Sequence, residues 1–358
     1  FEHPTYGKGI GYKLKKITKN KFKKNAWTSP FYKYEEGNKH EIILGETLPE
    51  PIITVNLNED YGKRQSDADS AIEFFQKAAY VVRVGNSPKE IQKVKNTILD
   101  WASNNALKEG INVSWGSKPV DYQMMVLINA ILTTTATIAE NFNDKERQIV
   151  GPWLHNLIKE VAKSKWKDRQ DNKAYQTSYI TLIWGLMVND LIAVQNSINT
   201  VKLAVHDMRP DGSFPIDTQR GGMGIDYNNK SYGYLLMMAS ILKDKTGVDL
   251  FSYNVNGRSL HNGADFVIKS IIEPSKINSI YAISCPDGGD RFGSIENPST
   301  YFIEIATNTM VYANKFSEYE NSDFIMSKYS ETFSNEYKKN IQSEPSELFT
   351  LHPMLISK

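Results

Sequence analysis

The chain of 358 residues holds a single cysteine, Cys285, which rules out an internal disulfide framework and any zinc site built from several thiolates. It has no run approaching the roughly 18 uninterrupted apolar residues of a membrane-spanning helix. Excess charge is missing as well: 42 Lys and Arg stand against 41 Asp and Glu, a net charge of +1. Whole-protein electrostatics therefore predict neither nucleic acid nor membrane as partner. No two histidines fall at metal-ligand spacing beside an acid, and "Gly-Gly-Met-Gly" has no strand before it to make a phosphate loop. No metal and no cofactor is expected. His155 and His206 stand alone and read as structural residues. What is present is 40% hydrophobic and 11% aromatic residues, enough to bury a large core. The chain begins at Phe1, and the expectation is a periplasmic or secreted monomer whose signal peptide has been removed.

Residues 1–60 carry eight lysines between Lys8 and Lys24 with no acid among them. They read as an irregular basic arm, either a solvated tail or a landing strip for a polyanion. From Asp67 the apolar spacing turns helical, with Ile72, Phe75, Ala79 and Val82 on one face. The next helix opens on Ser87-Pro88-Lys89-Glu90, a capping box with proline at the first helical position, and is expected to reach Leu107 and stop at Gly110. Further helices are expected near 121–140, 145–164, 175–190, 191–206, 229–244, 260–273 and 299–316, each bounded by Gly, Pro, Asn or Asp. Apolar residues cover several of these helices broadly, as in Tyr179, Ile180, Leu182, Ile183, Leu186 and Met187, which suits helices packed on two sides. The predicted class is all-α, successive helix pairs wrapped into an α/α toroid. It divides into an arm over 1–60 and one toroid domain over 61–358.

Two polar segments interrupt this pattern. The first runs from Asp211 to Asn229 and contains Gly221, Gly222 and Gly224 between Arg220 and Tyr227. A guanidinium near a phenol favours the ionised phenolate, and such a tyrosine can take or give a proton. The bland alternative is a structural loop whose Arg pairs with Asp217 or Asp226. The second segment, Asp171-Asn172-Lys173-Ala174-Tyr175-Gln176, opens a helix. Asn172 suits an N-cap there, while the helix N-terminus also favours an anion.

Together the two segments resemble the alginate lyases of polysaccharide lyase family 5. "DNKAYQ" is similar to the family's "NNHSYW", and "DGSFP…QRGGMGIDYNN" to "DG-x-LP-x-E…RG-x-RAL-x-YHN", with the same seven-residue step from Arg to Tyr. "EDYGKRQSD" resembles the "KYEGSD" lid segment, so the likeness covers roughly residues 57–275. It implies an incomplete α/α toroid, with 61–358 as the catalytic domain, acting on an anionic polysaccharide, with Tyr227 as catalytic base and acid, Arg220 as its neighbour and Asn172 neutralising the substrate carboxylate. Lys173 stands where the family has its active-site His, and Asn228 where the His after the Tyr would be. Tyr61, Lys63 and Arg64 fall in the lid segment.

β-Elimination on a uronate needs the C6 carboxylate neutralised, a base for the C5 proton and an acid for the departing O4. Lys173 reads first as a cation for that carboxylate and second as a base, which would require burial or neighbouring cations to lower its pKa. The substrate-binding candidates are Tyr61, Lys63, Arg64, Trp115, Tyr175, Gln176 and Asn228, with Tyr232 as a further aromatic on which a sugar ring could stack. The expected activity is cleavage of alginate, polymannuronate or a related polyuronate. The alternatives are a lyase for glucuronan or another acidic exopolysaccharide, an inactive polysaccharide-binding homologue, or an inverting hydrolase using two of Asp211, Asp217 and Asp226.

Overall fold

The computed structural model describes residues 14–18, 21–22, 26–31, 44, 48–49, 51, 61–84, 87–108, 114–115, 118–119, 121–163, 169–220, 223–272, 277 and 280–281. Helices dominate: α1 (Tyr61–Val84), α2 (Pro88–Ser103), α3 (Asp121–Thr137), α4 (Asp144–Lys163), α5 (Asn172–Val188), α6 (Leu191–Asp207), the single turn α7 (Pro215–Thr218), α8 (Gly224–Thr246) and α9 (Leu260–Ile272). The only described sheet pairs β1 (Ser114–Trp115) with β2 (Lys118–Pro119) antiparallel. The helix expected near 299–316, Cys285, Gly110, Gly221 and Gly222 lie outside the described residues, as do the side chains of Tyr61, Lys63, Arg64 and Trp115.

The helices alternate between two layers. α1 packs on α3, α3 on α5 and α5 on α8, while α2, α4, α6 and α9 lie outside them. This is the layout of an α/α toroid, and the sequence of each helix explains its layer. α5 buries 15 of its 17 residues, because apolar and small polar side chains surround it on every side. α2 buries Val94, Ile98 and Trp101 along one stripe, and its Lys95 pairs with Glu146 of α4 at 3.0 Å. Burying a side chain such as Trp184 or Ile183 contributes roughly 1.5–3 kcal/mol. Thr134, on inner helix α3, turns its hydroxyl onto the carbonyls of Ala130 and of Phe75 on α1. No described helix is long and apolar enough to cross a membrane.

Several local expectations need correction. The helix expected from Asp67 starts at Tyr61, so residues 61–67 of the "EDYGKRQSD" segment are helical backbone, while Glu59 and Asp60 lie outside the described residues. Ser87 does sit at the N-cap ahead of Pro88, but its side chain caps nothing. Glu90 instead accepts the Leu44 N–H at 3.2 Å, so the capping box gives way to a tie onto the arm. α2 ends at Ser103 rather than Leu107, because the chain turns through left-handed Asn105 and Leu107. The arm is not simply a solvated tail. Phe22, Trp27, Phe31 and Leu44 are buried, Phe22 and Trp184 meet edge to face at 5.9 Å, and Thr28 N–H reaches Met187 O.

Candidate active site

The two polar segments meet where the first turns of α5 and α8 lie side by side. Asp171, not Asn172, is the N-cap of α5. Its backbone is extended, and its carboxylate accepts the N–H groups of Lys173 and Ala174 at 3.2 and 3.3 Å while Arg169 Nε lies 2.5 Å from the other oxygen. Aspartate caps at least as well as asparagine and gains from the helix dipole, a combination worth about 1 kcal/mol or more. Asn172 is thereby moved to the first helical position. It is buried, and its own N–H donates to Asp217 Oδ1 at 3.4 Å.

Asp217 sits in α7, between the segments, and is 2% exposed. Ser231 Oγ on α8 lies 2.5 Å from its Oδ2, and its main-chain carbonyl accepts the Arg220 N–H. Burial pushes this carboxyl well above the usual carboxylate range; the Ser231 bond opposes that, and the nearby Asp171 charge reinforces it. Phe214 makes the same bridge one turn earlier. Its ring packs on Tyr175 at 5.7 Å and its N–H donates to Asn228 Oδ1 at 2.8 Å. Gly212 has φ +90°, and a Cβ there would stand 1.9 Å from the Asn262 carbonyl oxygen, so this turn is held tightly against α9. Gly224 opens α8 so close to Thr218 that a Cβ would come within 2.7 Å of its carbonyl oxygen.

Arg220 and Tyr227 come together across the glycines, but face to ring rather than head to head. The Arg220 guanidinium carbon stands 4.9 Å from the centroid of the Tyr227 ring, a cation–π pair, and the Tyr227 hydroxyl lies 3.5 Å from Met223 Sδ. Among the described residues no carboxylate pairs with Arg220. Asp226 lies 3.6 Å from Lys230, so the bland alternative of an Arg220 ion pair with Asp217 or Asp226 is not what forms. Tyr227, Arg220 and Lys173 are each half-buried, so all three keep part of their surface toward solvent.

Other candidates sit elsewhere. Tyr175 and Gln176 are buried inside α5, and Tyr232 and Asn228 are fully buried in α8. None of these offers an open face to a sugar, because both helices are inner ones and the rings fill the core. Asn228 instead acts on the loop through the Phe214 N–H. Tyr61, Lys63, Arg64 and Trp115 have no described side chains. His155 lies between Phe22 and Trp184 with its pKa lowered, chiefly by burial and then by Lys159, and His206 leans on Asp207. Among the described residues no three His, Cys, Asp or Glu side chains gather as a metal site. A pair of open carboxylates is also missing from the three acids considered for hydrolysis: Asp217 and Asp226 are buried, and Asp211 is tied to Ser213 and Tyr281.

Sequence reasoning missed Asp217 as the link between segments, Ser231 as its partner and Asp171 as the cap. The Asp171-Asn172 pair carries a signal for the last, since either residue can cap a helix.

Known proteins share this arrangement of helices. The structure is similar to a variant of alginate lyase A1-III complexed with tetrasaccharide, with a TM-score of 0.60 and 15% identity over 100% of this chain and 99% of that one. It is also similar to alginate lyase A1-III from Sphingomonas species A1, at a TM-score of 0.55 and 18% identity over 74% and 75%. At that identity these likenesses speak for the fold, the α/α toroid. In sequence, the chain is 22% identical to a polysaccharide lyase of Stenotrophomonas maltophilia (strain K279a) over 226 residues, 61% of this chain. The match spans 66% of that relative, just under two thirds of its length. The alginate lyase family model matches residues 81–277, a stretch that takes in Asn172, Lys173, Arg220 and Tyr227, and the chain belongs to that family, a family of polysaccharide lyases.

Proposed function

We propose that this protein cleaves a polyuronate, in the first instance mannuronate-rich alginate, by β-elimination. The observation that carries the reading is the Arg220 guanidinium stacked on Tyr227 at 4.9 Å, on a loop tied through Asp217 to Asn172. The Asn172 side chain makes no hydrogen bond to the described residues, which leaves its amide available to a substrate carboxylate. The first N–H groups of α5 donate to Asp217 and Asp171, so the positive charge suited to an anionic chain comes from Arg220 and Lys173.

In the proposed reaction Asn172 and Arg220 bind the C6 carboxylate and stabilise charge that builds there as the C5 proton leaves. A well-placed donor of this kind contributes on the order of 3 kcal/mol. Tyr227, as phenolate, takes the C5 proton, and Arg220 against its ring steadies that anion. The same phenol then gives its proton to the departing O4. Both protons lie on one face of mannuronate, so one residue serves a syn elimination. Lys173, beside Asn172, supplies a second cation for the carboxylate. The natural setting of such a substrate is outside the cytoplasm, and we place the enzyme in the periplasm or beyond it.

The test is an absorbance assay for unsaturated uronate ends against mannuronan, guluronan, glucuronan and mixed alginate. Fastest product on mannuronan is the expected result. Product on glucuronan alone would favour the other exopolysaccharide reading, and binding without product on the whole panel would leave only a binding protein.

A further inference from the structure

We propose that the Asp217 carboxyl is a positioning group that holds the carboxylate-neutralising donor Asn172 of α5 in fixed register with α8; this rests on the lyase reading above. Three ties meet at this residue. Its Oδ1 takes the Asn172 N–H from α5 and its Oδ2 meets Ser231 from α8, while its main-chain carbonyl takes the Arg220 N–H, a tie that any residue at this position would keep. Neighbouring contacts keep the turn that carries it from sliding: Thr218 receives a hydrogen bond from Arg209 at 2.7 Å, and its carbonyl abuts Gly224.

The chemistry of the carboxyl fits an orienting part. An apolar residue would leave the Asn172 N–H and the Ser231 hydroxyl without a partner in a buried place, a cost of about 1–3 kcal/mol for each. An ionised carboxylate there would be expensive too. Ser231 Oγ donates to Oδ2 when the carboxyl is charged; a neutral carboxyl reverses that bond, its Oδ2–H donating to Ser231 Oγ while Oδ1 accepts from Asn172, and so meets both demands. Burial and the Asp171 charge both favour that form. An asparagine presents the same faces, accepting from Asn172 and donating to Ser231. Because Asp217 is sealed from solvent, it acts on substrate only through the residues that it holds.

A double-mutant cycle on mannuronan separates positioning from general support. Asp217→Ala is expected to lower kcat about 100-fold with KM changed less than about fivefold, and Asp217→Asn to recover at least about a fifth of parental kcat. In an Asn172→Ala background the Asp217→Ala change should cost no more than about threefold, since the donor it aims has gone. Equal costs in both backgrounds, or an asparagine variant as slow as the alanine one, would overturn the proposal. Should Asp217→Ala lose its cooperative melting transition, Ser231→Ala carries the same cycle, because it frees the carboxyl from α8; additivity with Asn172→Ala is again the overturning result. Asn172→Ala alone tests the parent reading. If it turns over at the parental rate, Asn172 does not neutralise the substrate and the lyase assignment fails at that residue, whatever Asp217 does.

Discussion

Among the described residues, Arg209 and Arg220 each stack on a tyrosine, and the two stacks differ in what the phenol meets. Arg209 lies 4.4 Å from the Tyr281 ring centroid and Arg220 4.9 Å from that of Tyr227. Tyr281 donates its O–H to Asp211; burial, then that bond and the Asp211 charge, hold its phenol above the ordinary tyrosine range. Its arginine is spent as well, on Ser213 and Thr218. The first stack is a clamp that fastens residue 281 to the start of the site loop. In the second, the hydroxyl lies against a thioether, no described carboxylate pairs with the arginine, and both side chains keep a solvent-facing part. A cation over a ring therefore does not by itself fix what a tyrosine does. The group at the hydroxyl differs: a carboxylate takes the Tyr281 O–H, and a thioether lies against that of Tyr227.

The largest expected effect breaks this comparison directly. Tyr227→Phe should lower turnover about a thousandfold or more, within what proton-transfer groups supply, while polymer affinity and melting temperature stay near parental values. Tyr281→Phe should instead leave turnover within about threefold and cost about 1 kcal/mol of stability, the worth of one hydrogen bond. Kinetics and urea unfolding on both variants check the pair. Comparable kinetic losses in the two would mean that the stacks are not different in kind.

The arginines should divide the same way, with a smaller gap. Arg220→Ala is expected to lower kcat about a hundredfold, and Arg220→Lys to restore only part, because an ammonium lacks the planar fork that meets a carboxylate at two points. Arg209→Ala removes two hydrogen bonds and a ring contact from the clamp, so its loss should appear mainly as about 1–2 kcal/mol in unfolding. A rate defect in Arg209→Ala that matches Arg220→Ala would sink this division.

How far the sequence reveals these features follows from their range. The inner helices are legible because their apolar cover is local: α5 and α8 announce themselves through runs such as Tyr179 to Met187. The arginine–tyrosine step is legible as spacing, and the family motifs add Asn172. The ties that fix the site are long-range and were not legible. Asn172 to Asp217 spans 45 residues and Tyr281 to Asp211 spans 70, and no periodicity encodes which distant carboxyl a given N–H will meet. Burial misled for the opposite reason. Tyr175 and Tyr232 have the composition of sugar platforms, but helices surrounded on every side turn such rings into core.

Lys173 sharpens the comparison at the α5 end, with an expected effect near tenfold. As a fixed cation beside Asn172 it should lose about that factor as Met and keep part of its rate as Arg, with the pH profile unchanged. Were it the base, neither would be tolerated, since a guanidinium does not release its proton at working pH. Lys173→His restores the residue typical of the family and is expected to shift the mannuronan preference. A Met variant with parental kcat and substrate preference would remove Lys173 from the site.

The smallest effect concerns the two aspartates that flank the stacks, and it is read in stability alone. Asp211 is partly open and committed to Tyr281, whereas Asp217 is sealed, with its carboxyl pushed well above its ordinary value of 3.8 by burial first and then Asp171. The sign of the linkage follows from that direction. As pH rises past about 4, the unfolded chain gives up the Asp217 proton while the native state keeps it, so the native state binds more protons and stability falls. The fall continues until the native carboxyl itself titrates, with a limiting slope of about 1.4 kcal/mol per pH unit. An asparagine at this position does not titrate. Asp249, whose pKa is lowered by its Lys243 hydrogen bond, contributes in the opposite direction but equally to both proteins, and cancels in their difference. Urea unfolding of the parent and of Asp217→Asn from about pH 4.5 to 7.5 should therefore show the parent losing stability relative to the variant as pH rises. A difference that stays flat, or one that grows in favour of the parent, would mean that Asp217 is ionised in the fold and that its tie to Ser231 is a charged one.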